Sequence, residues 1–169
     1  IKGFRNAKEC YEFLQETFLI GEFIQKTDID QISKNLNKNP FYLEQMICWL
    51  IEKGALEQNK GICRIKNEIL FKELIQNIPN TVYDILYERW KYCEKNCEFD
   101  INKIIILFSA IHLYSKLTPK DIDELQISWN MVKELGKKEF LTVEDTDSSI
   151  SIMFCHDLID KFFSNMYYG

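Results

Sequence analysis

The sequence contains no hydrophobic run long enough to cross a membrane as a helix. Its longest apolar run, residues 104–111, is interrupted by Ser109 and is typical of a core helix, whereas a membrane helix needs about 20 apolar residues. The first residues place Lys2, Arg5 and Lys8 among apolar side chains, which does not resemble a signal peptide. We therefore expect a cytoplasmic protein with no membrane partner, and part of a larger chain.

An excess of basic charge is also missing. The 169 residues carry 21 Lys and Arg against 26 Asp and Glu, a net charge of −5. Proteins that bind nucleic acid through their overall field are basic, so nucleic acid is a disfavoured partner. Lys133, Lys137 and Lys138 form a local basic group, but Glu134 and Glu139 alternate with them, which favours a solvated helix face.

Motifs that carry enzyme chemistry are few. Of only two histidines, His112 falls inside an apolar helical pattern, and no Ser–His–Asp or Cys–His set is apparent. Cys93 and Cys97 have three residues between them and no second Cys/His pair to complement them, so we predict reduced cysteines and no metal. The chain has no Gly-x-x-x-x-Gly-Lys-Ser/Thr loop and no acidic strand end for magnesium. By itself it is predicted not to be an enzyme.

Helical patterns fill most of the chain. Hydrophobic residues make up 46% of the sequence and recur mostly with helical spacing, which predicts an ordered, mainly α fold. Helices are predicted over residues 6–19, 27–36, 40–53, 81–93, 101–114, 118–125, 128–135 and 156–167. Two short hairpins are predicted, one over 55–65 that turns at 59–61 and one over 140–154 that turns at 144–148. The second half therefore has a winged-helix order with one leading helix, and the domain boundary is expected within 66–78.

The junction between the last strand and the last helix is the candidate binding point. Phe154, Cys155, His156 and Asp157 lie there, where unpaired N–H groups and the helix dipole attract anions. A histidine at such a corner can donate to a phosphate oxygen, and Pro40 offers a flat apolar ring to a base. On these residues alone, two plainer interpretations stay open, since Pro40 also suits a helix start and His156 also suits a packed corner.

Five segments, taken in order, resemble a known family. Together they are similar to the region after the P-loop core in STAND-class signalling ATPases, the group that contains NACHT and NB-ARC proteins. The segments are residues 39–44 (NPFYLE), 54–56 (GAL), 78–86 (IPNTVYDIL), 117–122 (LTPKDI) and 154–159 (FCHDLI).

The resemblance implies an architecture and a site. It implies a helical lid domain over 1–66 that ends in a short hairpin, a connector over 67–77 and a winged-helix domain over 78–169. In that family a Gly-x-Pro proline packs on the adenine, and the histidine of a Met-His-Asp motif contacts the β-phosphate of ADP. Lys38 stands here for the glycine and Cys155 for the methionine. Carried over, the nucleotide-binding residues are Pro40 and His156, supported by Asn39 and Asp157.

The resemblance also implies a function. The chain is expected to be a regulatory arm that closes over ATP or ADP, which an N-terminal P-loop core of the parent protein mainly holds. That core is the expected partner, an oligomer or a protein effector is left open, and no metal is expected in this chain. Two alternatives remain, a winged-helix module that binds nucleic acid and a helical protein-interaction domain without nucleotide contact.

Overall fold

A computed structural model of the chain describes residues 40–59, 62–96 and 98–167, together with Glu9, Glu12 and Ile32. The helices predicted over 6–19 and 27–36 lie outside the described residues except at these three positions, which are helical. The chain is mainly helical and has two short antiparallel hairpins, as the sequence predicts. The described residues divide into two compact units, one up to Tyr92 and the other from Cys93 onward.

Between residues 40 and 92, the described part of the first unit contains two helices, a hairpin and most of a third helix. Strands β1 and β2 pair in antiparallel register, with Leu56 opposite Ile65. In chain order the elements are α1 (Pro40–Glu52), β1 (Leu56–Asn59), β2 (Ile62–Ile65), α2 (Glu68–Gln76) and α3 (Val82–Asn96).

Gly54 ends α1, as its position in the sequence predicts. Its φ of 83° lies in the left-handed region that glycine adopts without steric cost. The Gly54 N–H donates to the Ile51 carbonyl at 3.0 Å and the Ala55 N–H donates to the Leu50 carbonyl at 3.0 Å. This pair of bonds is a Schellman motif, and it turns the chain directly into β1.

The core of the first unit is built around α1, which is apolar on most of its faces. The segment 67–77, expected to be a connector that is helical in part or irregular, contains α2 and places Phe71 and Ile75 in this core. Ile85 on α3 joins the same core, and the compact units separate after Tyr92. The domain boundary expected within 66–78 stays a prediction. The core residues on α1 are Tyr42, Leu43, Met46, Ile47, Trp49 and Leu50.

The second unit contains the remaining helices and the second hairpin. Strands β3 and β4 pair from Leu141 opposite Phe154 to Thr146 opposite Ser149, so the turn is shorter than the predicted 144–148. The elements are α4 (Ile101–Tyr114), α5 (Pro119–Glu124), α6 (Trp129–Lys137), β3 (Leu141–Thr146), β4 (Ser149–Phe154) and α7 (Asp157–Tyr167).

A single residue before α5 adds a third short stretch of pairing to this hairpin. The Leu117 N–H donates to the Ile152 carbonyl at 2.9 Å, and the Ile152 N–H donates back at 2.8 Å. Thr118 then caps α5 with a capping box in which Asp121 is the reciprocal partner. Leu117 and Ile152 are both buried, so this bridge fixes the start of α5 against β4.

Aromatic rings from α4, β4 and α7, together with Phe140 just before β3, form part of the core of the second unit. The Phe163 ring on α7 lies 4.3 Å from that of Phe108 on α4 and 6.0 Å from that of Phe140, centroid to centroid. The ring centroid of Phe154, the last residue of β4, lies 5.4 Å from that of Phe108.

Within the described ranges, no helix combines the length and the apolar character that crossing a bilayer requires.

Candidate functional site

The corner between β4 and α7 is fixed by hydrogen bonds to the backbone. The Cys155 N–H donates to the carbonyl of Phe140 at 3.1 Å, and the Ile159 N–H donates to the carbonyl of His156 at 3.0 Å. The His156 side chain makes a further bond, because its Nδ1 accepts the Leu158 N–H at 3.0 Å. His156 therefore caps α7 with a side-chain acceptor, as Ser, Asn or Asp do in other helices.

This bond sets the chemistry of the imidazole ring. A ring nitrogen that accepts an N–H carries no proton, so neutral His156 holds its proton on Nε2, which makes Nε2 the donor atom of the ring. Burial lowers the pKa of His156, while the carboxylate of Asp157 acts in the opposite direction. The ring is therefore neutral at physiological pH, with an acceptor aimed at α7 and a donor on the other nitrogen.

Two carboxylates lie in the first turn of α7, Asp157 and Asp160. Negative side chains there interact favourably with the positive end of the helix dipole. They also border a cavity of about 170 Å³ beside the corner, whose wall includes Ile111, His112, Ser115, Met153, Phe154, Asp157 and Asp160. Negative charge around this cavity disfavours anions inside it.

His112 lies on α4 and belongs to a small polar cluster that the sequence did not indicate. Its Nδ1 lies 2.7 Å from Asp160 Oδ1, and the Ser164 hydroxyl lies 3.3 Å from the same nitrogen and 3.2 Å from Asp160 Oδ1. In a catalytic triad the serine and the acid contact opposite nitrogens of the ring. Here both contact Nδ1, so the cluster is a cross-link between α4 and α7 rather than a relay to a nucleophile.

The other predicted site residues are placed as follows. Pro40 begins α1, as the proline pattern predicts, and belongs to the first unit. His156 and Asp157 lie together at the corner in the second unit, while Asn39 lies outside the described residues. Contact of Pro40 with an adenine and of His156 with a phosphate both stay predictions.

A buried polar network in the first unit was also missed by sequence reasoning. Arg89 on α3 is 1% exposed, and its Nε and Nη2 donate to Glu52 Oε1 on α1 at 3.0 and 2.9 Å. Its Nη1 donates to the side chain of Gln45. Glu52 Oε2 is buried without a hydrogen-bond partner among the described residues. This network joins α1 to α3 through one buried ion pair, in which the Glu52 carboxylate compensates the charge of Arg89.

Thiols and carboxylates offer little for a metal ion. Of the described cysteines, Cys48, Cys63, Cys93 and Cys155 are thiols rather than disulfides, and burial raises the pKa of Cys63 to about 11. In the part of the chain that the structure describes, no group of three His, Cys, Asp or Glu side chains is placed to hold a metal.

A larger cavity of about 590 Å³ lies between the end of α3 and α6.

Comparison with known proteins adds no relative. No family model, no curated protein and no solved structure matches this chain. The likeness to STAND-class ATPases therefore stays a prediction, and a functional proposal depends on that resemblance together with the residues of the corner.

Proposed function

We propose that this chain is the regulatory arm of a STAND-class signalling ATPase, which closes over ATP or ADP held by an N-terminal P-loop core. The observation that carries the proposal is the hydrogen bond from the Leu158 N–H to His156 Nδ1 at 3.0 Å. This bond orients the imidazole and puts the ring proton on Nε2, where it can be donated to a phosphate oxygen. The family resemblance supplies the phosphate, and the corner supplies an oriented donor.

The second unit is proposed to be a winged helix that carries this donor at its last helix. The order of elements supports this fold, since α4 is followed by the bridge residue Leu117 and then by α5, α6, β3 and β4. The bridge and the hairpin together make a short three-stranded sheet. In this proposal α7 follows the hairpin directly, and His156 occupies the two-residue link between them. The first unit is proposed to be the lid, with Pro40 packing on the adenine.

The proposed mechanism is a shift between closed and open arms. A donor that reaches the β-phosphate of ADP only in the closed state stabilises that state by the difference in contact energy. One hydrogen bond to a charged group contributes about 1.5–3 kcal/mol, which corresponds to a roughly 10- to 150-fold change in the closed-to-open ratio. Exchange of ADP for ATP would remove this contact and release the arm for signalling.

The proposal is tested with two substitutions of His156 in the full-length protein. His156→Asn keeps a side-chain acceptor for the Leu158 N–H but loses the Nε2 donor, whereas His156→Ala loses both. We expect both variants to bind ADP about 10-fold or more weakly and to show raised basal signalling. Only the Ala variant should also lose about 1 kcal/mol of stability, because it lacks the cap. The measurements are ADP content after purification and thermal unfolding.

The matched control is His112→Asn, which removes the other histidine from the same unit. This variant breaks the contact with Asp160 but leaves the His156 cap in place, so its ADP content should equal that of the unmodified protein. Retention of ADP by His156→Asn at the unmodified level would overturn the proposal and leave His156 as a helix cap alone.

A further inference from the structure

The outer edge of β3 is a feature that neither the core nor the proposed nucleotide contact uses. Strand β4 bonds to Leu117 through both backbone groups of Ile152, at 2.9 and 2.8 Å, so those groups point away from β3. Val143 lies opposite Ile152, and the two residues therefore form a non-hydrogen-bonded pair. Because the two kinds of pair alternate along an antiparallel ladder, Val143 and Asp145 direct their backbone N–H and C=O groups away from the hairpin.

A second hydrogen bond gives the same orientation. The Cys155 N–H donates to the Phe140 carbonyl at 3.1 Å, and an odd number of steps along the ladder from Phe140 makes Val143 the other kind of pair. Val143 is 38% exposed and residues 144–149 are all exposed. Among the described residues, no backbone group bonds to these outward groups of Val143 and Asp145. A row of unpaired N–H and C=O groups is a template for a further strand.

The hairpin around this edge carries charge of one sign. Glu144, Asp145 and Asp147 lie at its tip, and residues 141–154 contain no Lys, Arg or His. None of the three carboxylates forms a salt bridge with another described residue. Pairing of β3 with β3 of a second copy would bring two such acidic groups together, which like-charge repulsion disfavours. The phosphates of a nucleic acid would be repelled in the same way.

We propose that β3 is a docking edge for an extended basic segment of a partner protein, which adds to the hairpin as a further strand. Backbone bonds to Val143 and Asp145 hold the segment, as in other cases of strand addition. Lys or Arg side chains of the segment lie beside the carboxylates of the tip, and an apolar side chain packs beside Val143. Docking at this edge requires no nucleotide, so the inference goes beyond the proposed function and does not rest on it.

The probe for this edge is a capped synthetic peptide of alternating Lys and Val with the length of β3. Amide hydrogen exchange of the full-length protein is measured with and without saturating peptide. We expect the Val143 and Asp145 amides to exchange about fivefold more slowly with the peptide, because they gain hydrogen bonds. The Glu144 amide is the internal control, since it already bonds within the hairpin opposite Ser151 and should change less than about twofold. A matched peptide with Glu in place of Lys should cause no slowing.

Two variants separate the backbone of the edge from its charge. Val143→Pro removes an N–H that the ladder between β3 and β4 does not use, so the affinity for the Lys peptide should fall about fivefold. The triple variant Glu144→Gln/Asp145→Asn/Asp147→Asn keeps the backbone. It should bind the Lys peptide more weakly at low salt and lose most of the salt dependence of binding.

Unchanged exchange of the Val143 amide at saturating Lys peptide, or equal slowing by the Glu peptide, would overturn the inference. Unreduced affinity of either variant for the Lys peptide would do the same. Self-association of the unmodified protein that Val143→Pro abolishes would assign the edge to a second copy instead. The exchange measurement uses the unmodified protein, so it decides the inference even if Val143→Pro does not fold. No ADP is needed in these experiments, so their failure leaves the proposed function standing.

Discussion

His156 can cap α7 only while its ring is neutral, because a protonated imidazole donates from both nitrogens and accepts from neither. Three features of the fold favour the neutral form: partial burial, the Leu158 N–H pointing at Nδ1, and the positive end of the helix dipole. Asp157 favours the charged form, and Lys161 on the same helix disfavours it. The pKa of His156 is lowered on balance.

This lowered pKa predicts how stability depends on pH. The unfolded chain takes up the His156 proton near its ordinary pKa of about 6.5, whereas the folded chain takes it up at a lower pH. Acidification therefore favours the unfolded state, and the contribution of His156 is complete above about pH 6.5 and is lost as the pH falls through the folded-state value. Thermal unfolding from pH 8 to 5 should show this loss in the unmodified protein.

The comparison variant is again His156→Asn, which caps without titrating. The difference in unfolding free energy between the two proteins should be constant above pH 7 and should shift in favour of the Asn variant at lower pH. Because His112 is present in both proteins, it contributes equally to both and does not affect this difference. A difference that does not change with pH would contradict neutral capping by His156.

Sequence reasoning located His156 at the corner but did not identify its hydrogen-bond partner. The alternating strand that runs into a helical pattern located His156 at a corner, and Asp157 was expected to hold the ring. The bond that the structure shows comes from the Leu158 backbone, since the geometry of a cap depends on dihedral angles that residue spacing does not specify. Histidine is also not among the residues that usually mark a helix start.

At the scale of elements, α1 and α3 are joined by polar contacts as well as by the core. Trp49 donates to Glu88, and the Tyr42 hydroxyl donates to the carbonyl of Pro79 just before α3. Burial raises the pKa of Tyr42 to about 12, so its hydroxyl remains a donor. Arg89 and Glu52 add the buried ion pair at 2.9 Å.

Removing one partner of that buried ion pair is predicted to lower the unfolding free energy far more than removing both partners. Arg89→Met leaves the Glu52 carboxylate without its cation and should lower the unfolding free energy by about 3–5 kcal/mol. The double variant Arg89→Met/Glu52→Leu should recover most of that loss, because no unpaired charge remains. Urea unfolding of the chain measures both values.

Arg64→Met is the control for this prediction. Arg64 pairs with Glu57 at 2.6 Å across the first hairpin, but both side chains are exposed, so its loss should cost less than about 1 kcal/mol. If the loss of unfolding free energy in Arg89→Met/Glu52→Leu equals the sum of the losses in the two single variants, the buried charges of Arg89 and Glu52 are not coupled.

Helix α2 lies in the segment that the sequence predicts to be a connector, either helical in part or irregular. The segment offers Ile69, Leu70, Leu74 and Ile75 for packing. The start signal was present, since the Asn67 side chain accepts the Leu70 N–H at 3.1 Å as an Asn cap does. Burial of Phe71 in the first core then supports the helix, and that burial is a tertiary contact.

At the scale of the whole molecule, most helices of the described residues were predictable from the sequence, whereas the division into compact units depends on contacts between residues far apart in the chain. Apolar spacing, Gly54 and the Thr118–Pro119 start located most described elements to within a few residues. The change of unit after Tyr92 falls inside α3. Helical spacing of apolar residues continues through α3, so the periodicity marks no boundary at that residue.

Charge at the same scale bears on the alternative of nucleic-acid binding. The basic group on α6 is mixed, because Lys137 pairs with Glu134 at 3.1 Å, and the chain as a whole carries a net charge of −5. These charges argue against binding to a duplex, since phosphate-backbone binding needs several uncompensated cations.

The dissociation rate of ADP from the full-length protein tests the central claim most directly. Three proteins are compared, unmodified, His156→Asn and His156→Asp, and the two variants both keep an acceptor for the Leu158 N–H. If Nε2 donates to the phosphate, ADP should leave the Asn variant about 10-fold faster, and leave the Asp variant faster still because its carboxylate repels the phosphate. Equal rates for all three proteins would contradict the claim that His156 senses bound nucleotide.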